Sequence, residues 1–342
     1  MAASLARHRR VFLLAFSLVL VAWGATGLYQ GLHSGFSGGL YDPEYRVPEV
    51  PPGSLADKSS FQAGDRVISV EGIPVERLGM ESRWPRALAA RIGQSRRFVV
   101  ERNGAQVPLD VVYPAPFPAA VNNRIGTALV GLAFLGFGLW GFLSAGTAPA
   151  LTLAQTGLAA GAGAALSLGP NLGSWNGVQG HVGTASGVLM YVLLLRFFVT
   201  FPKAKRVSER RLAAWLAVGA WACLVAFLVA ELVLHPALYY TTGSVVSPLT
   251  LVFGILIFAA IVHTLVRTPR AELRESGTCL IFGGFAVALV GTQAAFIPGI
   301  SLPGWVYSLP IAAIPIAMAL AVRKEARRRG RATQLESSPK RP

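Results

Sequence analysis

Eight stretches of mostly apolar residues run through this sequence, at 11–28, 125–144, 150–168, 183–201, 212–234, 246–266, 277–297 and 304–322. Each approaches the roughly 20 residues a helix needs to cross a hydrocarbon core of about 30 Å. In lipid every backbone N–H and C=O must be bonded within the segment, so such stretches fold as helices. The chain is therefore expected to form an α-helical transmembrane bundle of about eight helices. Composition agrees: only 14% of the residues are charged, against about 25% in a soluble globule. The Ala- and Gly-rich stretch 150–168 is the weakest of the set. The first stretch reads as an uncleaved anchor or as a signal peptide, with Arg7, Arg9 and Arg10 as its basic start and Ala22-Trp23-Gly24 as a poor cleavage site. The anchor is the preferred reading.

The formal net charge of +15 raises three readings: nucleic acid, a membrane surface, or membrane topology. Position decides among them. Arg7, Arg9 and Arg10 precede the first stretch; Lys203, Lys205, Arg206, Arg210 and Arg211 follow the fourth; Arg267, Arg270 and Arg274 follow the sixth; and the segment 323–342 holds eight more. The intervening loops 169–182, 235–245 and 298–303 contain no lysine or arginine. An eight-span layout puts nineteen basic and five acidic residues on the cytoplasmic side, as expected when short loops rich in lysine and arginine resist translocation. The basic balance is thus a topology signal and needs no nucleic acid. The tail also suits anionic lipid headgroups. The expected location is a bacterial inner membrane, with the C-terminal segment cytoplasmic.

Residues 35–118 are different, with ten basic and ten acidic residues and the patterns of a soluble domain. A long translocated loop is exempt from the charge rule, so this domain is expected outside. Arg66-Val-Ile-Ser-Val70 reads as a strand, with Val67 and Ser69 on one face and Ile68 and Val70 on the other, between the turn pairs Gly64-Asp65 and Glu71-Gly72. Asn103-Gly104 between strands 98–102 and 107–112 is a strong hairpin signal, because both residues accept positive φ. Trp84 to Ile92 reads as a helix, with Leu88 and Ile92 on one face. Tyr113-Pro-Ala-Pro-Phe-Pro118 is a stiff lead into the second span.

The run from Val47 through Pro52-Gly-Ser-Leu-Ala56, then Gly64-Asp-Arg-Val-Ile-Ser-Val-Glu-Gly-Ile-Pro-Val75, resembles the PDZ family. The resemblance covers roughly 80 residues and implies a small, partly open β-barrel with two helices. It also implies a groove that takes an extended chain, often a C-terminus, by adding a strand to a sheet edge. On that reading Gly38, Gly39, Leu40 and Tyr41 form the carboxylate-binding loop, and Leu88 and Ile92 form the helix wall. Pro43 departs from the pattern: it stands where the pairing strand should run and has no N–H to donate. A spacer or docking block with a degenerate groove is the alternative.

Ionisable groups within spans are costly and mark functional candidates. Glu231 lies one turn before His235 near the outer end of the fifth span, and Arg196 and His263 lie near inner ends. Headgroup-level solvation or snorkelling explains each of them as well. His181 reads as exposed in a loop, and Cys223 and Cys279 as buried packing residues with no metal or redox role. Gly157 and Gly161 form a small-residue pair suited to helix packing. Trp175, Trp305 and Tyr307 suit an aromatic belt. No His-Glu-x-x-His string or nucleotide-binding loop is present, and Thr184-Ala-Ser-Gly187 lacks the first glycine of a rhomboid-type motif. No catalytic residue, metal or cofactor is assigned.

The first expectation is therefore a non-enzymatic membrane protein that binds an extracytoplasmic peptide or protein C-terminus in a sensing, signalling or scaffolding role. The arrangement weakly resembles membrane sensor input modules, with Phe201-Pro202 closing a span before a basic loop. The segment 323–342 is too short and polar for an output domain, which either argues against signalling or assigns the output to a separate cytoplasmic protein. An intramembrane enzyme or protease accessory subunit is the second reading, and a transporter the third.

Overall fold

The computed structural model describes residues 2–33, 45–50, 55–75, 90–116, 118–169, 176–202, 239–293 and 303–337. The chain is mostly helical, with one small antiparallel sheet. Helix α1 spans Ala2–His33, and a short helix α2 spans Leu55–Lys58. The strands follow as β1 Arg66–Val70, β2 Ile73–Pro74, β3 Ser95–Arg102 and β4 Ala105–Val112. Then come α3 Pro118–Ala145, α4 Ala148–Leu168, α5 Asn176–Thr200, α6 Tyr239–Arg267, α7 Arg270–Glu275, α8 Thr278–Gln293, α9 Gly304–Ser308 and α10 Ala313–Ser337.

Among the described residues, five helical segments are long and apolar enough to cross a membrane: Arg7–His33, Val121–Ala145, Ala148–Leu168, Val182–Thr200 and Trp305–Arg331. Two shorter apolar helices, Leu251–Arg267 and Thr278–Gln293, coincide with the sixth and seventh predicted stretches. The fifth, 212–234, lies outside the described residues. The chain has the makeup of an integral membrane protein.

Helix boundaries run past the apolar windows, because hydropathy marks only the part solvated by lipid. Helix α5 begins at Asn176, so His181 belongs to a helix and not to the expected loop. Within the last span, found as one segment Trp305–Arg331, the α-helix gives way to a 3₁₀ turn at Leu309–Ala312. Pro310 has no N–H for the α-helical ladder, which accounts for the break. Beyond it, α10 stays helical through the basic segment as far as Ser337.

Helix directions follow from close backbone approaches. A Cβ at Gly24 would meet Ala165, and one at Gly27 would fall on Leu168 and Gly169, so α1 and α4 run parallel. Gly131 faces Ala164 while Gly138 faces Ala154, so α3 is antiparallel to α4. Gly157 faces Phe134 and Gly161 faces Leu135; this small-residue pair serves packing within the bundle. Gly31 near the end of α1 lies against Arg124 near the start of α3. The chain therefore leaves α1 and re-enters α3 at the same end of the bundle, with the sheet between them in sequence. At the other end, α10 carries Lys324 to the carbonyl of Arg274 and Arg329 to that of Pro202. The bundle core includes Phe197, Phe198 and Phe201 of the α5 end, Ile281 of α8 and Met318 of α10.

The sheet has the order β2-β1-β3-β4, with every pair antiparallel. Tyr45–Val47 runs beside the start of β1: the Val47 N–H donates to the Asp65 carbonyl at 2.8 Å, and the Val67 N–H donates to that of Tyr45 at 2.8 Å. Strand β1 departs from the expected alternation. Val67 pairs with Val100 and Ser69 with Val99, which leaves Ile68 as an extra, bulged residue. The bulge turns both Val67 and Val70 into the core, where strict period two would have put them on opposite faces. They join Val47, Phe61, Phe98, Val100, Val111 and Tyr113, with the Phe61 and Phe98 rings edge to face at 5.8 Å. Each fully buried side chain of this size contributes about 1.5–3 kcal/mol.

The predicted hairpin turn at Asn103-Gly104 and the turn pair Glu71-Gly72 both form. Asn103 and Gly104 have φ of 52° and 79°, and Glu71 and Gly72 have 53° and 75°. Two consecutive positive values match the right-handed twist of the flanking strands. Pro108 sits in β4, an edge strand, where its missing N–H can be tolerated.

Candidate functional site

In the sheet domain, Asp65 is the central charged group. Its side chain is 1% exposed, and that of Arg102 is 21% exposed. The Asp65 carboxylate accepts two bonds from Arg102, at 2.8 Å from Nε and 2.7 Å from Nη2, and one at 2.8 Å from the Gln62 N–H. Arg102 Nη2 also donates to the Ser60 carbonyl at 2.9 Å. Burial alone would push the Asp65 carboxyl up. The Arg102 bonds and the Gln62 N–H outweigh it and hold the group below its ordinary value. A bidentate pair of this kind is rigid as well as strong, so it ties the end of β3 to the turn before β1. The sequence reading took Asp65 only as a turn residue.

Of the expected groove residues, Gly38, Gly39, Leu40, Tyr41 and Leu88 lie outside the described residues. Ile92 does not end a helix, as its spacing from Leu88 suggested. It sits in a turn, 47% exposed. The Gln94 N–H donates to the Arg91 carbonyl at 2.9 Å, and the Arg91 N–H donates to Gln94 Oε1 at 3.0 Å. Gly93, with φ of 83°, completes the reversal. Local turn chemistry here overrides the apolar i, i+4 spacing. Tyr113 is fully buried beside this turn. Its hydroxyl has no hydrogen-bond partner among the described residues. Burial pushes the phenol up to about 12, with Arg96 opposing and Glu71 adding to the shift.

At the far end of the bundle, Glu325 of α10 is buried at 4% exposure. It accepts bonds at 2.8 Å from Arg328 Nε and at 2.8 Å from Arg329 Nε. Arg329 Nη2 continues to the Pro202 carbonyl at 2.7 Å, and Arg328 lies 3.6 Å from Glu275. The Arg323 guanidinium stands 5.2 Å from the centre of the Trp140 ring, within cation–π range. This cluster joins the ends of α5, α7 and α10. Sequence reasoning counted its members only as topology charges. The i, i+3 and i, i+4 spacing of Glu325 with Arg328 and Arg329 was the available signal.

Glu231 and His235 lie outside the described residues. Arg196 and His263 are both exposed, on α5 and α6. Cys279, expected to be buried, is exposed on α8. The hydroxyls of Thr156 and Thr264 donate to carbonyls four residues back, which satisfies them within their own helices. Thr184 and Ser186 do the same. Among the described residues, no three of His, Cys, Asp and Glu gather as metal ligands would.

Comparison with protein-family models, with curated proteins and with solved structures found no match.

Proposed function

We propose that this chain is a membrane-anchored binding protein whose sheet domain is a PDZ-type module on the outer face of a bacterial inner membrane. The module takes an extracytoplasmic peptide or protein chain end, and the bundle anchors or relays that event to a separate cytoplasmic protein. The carrying observation is the opposition of two ends. The sheet joins helix ends at one side of the bundle, whereas Arg274, Arg328 and Arg329 meet at the other. Lysine and arginine in short loops stay on the cytoplasmic side, so the sheet faces out.

The motif from Gly64 to Val75 supports the PDZ reading. So does the short Tyr45–Val47 segment, which runs where a peptide-pairing strand would begin. Strand addition there would use backbone bonds for affinity and side-chain pockets for selection.

Reporter fusions test the layout: a fusion at residue 100 should be active only outside the cytoplasm, and one at residue 330 only inside. A cytoplasmic signal at residue 100 overturns it. A peptide-display screen against residues 35–118 tests the binding role. Enrichment of hydrophobic C-termini is the expected result, and no enrichment points to a spacer or docking block.

A further inference from the structure

Between α1, α3 and α4, in the half of the bundle nearer the sheet, lies an apolar cleft of about 120 Å³. Leu20, Gly24 and Leu28 of α1, Gly131 and Leu135 of α3, and Ala165 of α4 are among the residues that line it. No polar residue contributes to its walls. Val21 and Leu132, also on the walls, are 40% and 49% exposed. The cleft therefore opens sideways onto the surface that lipid covers, and water is not its natural occupant.

A cation stands at its upper rim. Arg124 is one helical turn before Ala128, which lines the cleft on α3. Its guanidinium rests on Gly31, about one turn beyond Leu28 on α1. Arg124 makes no hydrogen bond or ion pair with another described residue, and Gly31 leaves it room that any side chain would fill. Nearby, Gly169 just past Leu168 packs against the Trp23 indole nitrogen and the Gln179 amide nitrogen; the indole N–H and the Gln179 amide oxygen are buried without hydrogen-bond partners among the described residues. Buried polar atoms are ordinarily paired. A donor and an acceptor thus stand at the level of Gly27 and Gly169, and a guanidinium one helical turn further toward the end of α1, beside an apolar slot.

We infer that this cleft is a binding site for an anionic phospholipid of the leaflet nearer the sheet domain. An acyl chain lies between α1, α3 and α4, and the phosphate pairs with Arg124. An apolar slot selects hydrocarbon, and a guanidinium at headgroup depth selects phosphate through paired N–H donors. The inference depends only on the helices crossing a membrane, and the peptide-binding role can fail without touching it.

The full chain is purified in detergent, and phosphatidylglycerol, phosphatidylcholine or inorganic phosphate is added separately. Bound lipid is counted by native mass spectrometry, and thermal midpoints are recorded. Wild type should retain phosphatidylglycerol in preference to phosphatidylcholine. Arg124→Gln should weaken phosphatidylglycerol retention about tenfold, the worth of one charge-assisted contact, while Arg124→Lys keeps part of the preference. Ala25→Phe, at an exposed position of the wall, should abolish retention of both lipids and leave the helical circular dichroism unchanged. Equal retention of the two lipids by wild type overturns the assignment, as does a preference that survives Arg124→Gln. A midpoint shift with inorganic phosphate that matches the lipid's would make this a free-phosphate site and overturns it as well.

Discussion

At Gly104 in the sheet domain, φ is 79° and nothing lies within 4 Å of where a Cβ would stand. At Gly284 in the bundle, a Cβ would meet Ala317 Cβ at 2.6 Å and the Ala313 carbonyl oxygen at 2.7 Å. The first glycine is present because a side chain would strain its own backbone, and the second because a side chain would strike a neighbouring helix. The charges divide similarly. Asp65 and Arg102 brace a core that one small sheet cannot supply alone, whereas Glu325 and its arginines fasten helices already packed through their small residues. In the domain, local conformation does the specifying. In the bundle, where lipid is as apolar as the side chains, close approach does.

Substitutions separate the two halves by size of effect. Gly284→Leu should cost about 3 kcal/mol by overpacking. Thermal scans of the purified protein should show loss of the helical transition, with proteolysis of the sheet domain unaltered. Equal damage to both regions would break the comparison. Asp65→Asn should cost about 2 kcal/mol, since it removes the charge from a buried, bidentate pair. Its effect should be confined to the domain, read by proteolytic susceptibility between residues 45 and 113.

Gly104→Ala should cost about 1 kcal/mol through left-handed backbone strain alone, and Gly104→Asn should recover most of it. Tyr113→Phe is the smallest expected effect and opposite in sign. Removing a buried hydroxyl without a partner should stabilise the domain by up to about 1 kcal/mol.

Acid and alkali sharpen the same contrast within the domain. The Asp65 carboxyl is held below its unfolded value. Its contribution is complete above that value and fades as pH falls through the lower, folded one. The Tyr113 phenol is raised from 10.0 to about 12. Its contribution is complete below pH 10 and is lost as pH climbs toward 12. Denaturation curves of wild type and Tyr113→Phe should therefore keep a constant offset up to pH 10, and the gap should widen only on the alkaline side.

Much of this architecture was legible in the residues because the signals were local. Apolar length located the long described helices, and Asn103-Gly104 and Glu71-Gly72 located the hairpins. What escaped was set by partners distant in sequence. The bulge at Ile68 arises from pairing with β3, the Asp65–Arg102 pair spans 37 positions, and the cleft needs three helices to exist. Ile92 was misread because its spacing from Leu88 fitted a helix, while Gly93 and Gln94 supplied a stronger turn. Cys279 was misread because an apolar neighbourhood does not say which face of a lipid-solvated helix points inward.

The bond from Arg329 to the Pro202 carbonyl crosses 127 positions of chain, and that from Lys324 to Arg274 crosses 50. Both acceptors leave the ribosome before either donor. A nascent protein that has already threaded α5 and α7 into place still has those ends untied until residues 324 to 329 emerge. The order of synthesis thus makes α10 the helix that ties the ends of α5 and α7 together.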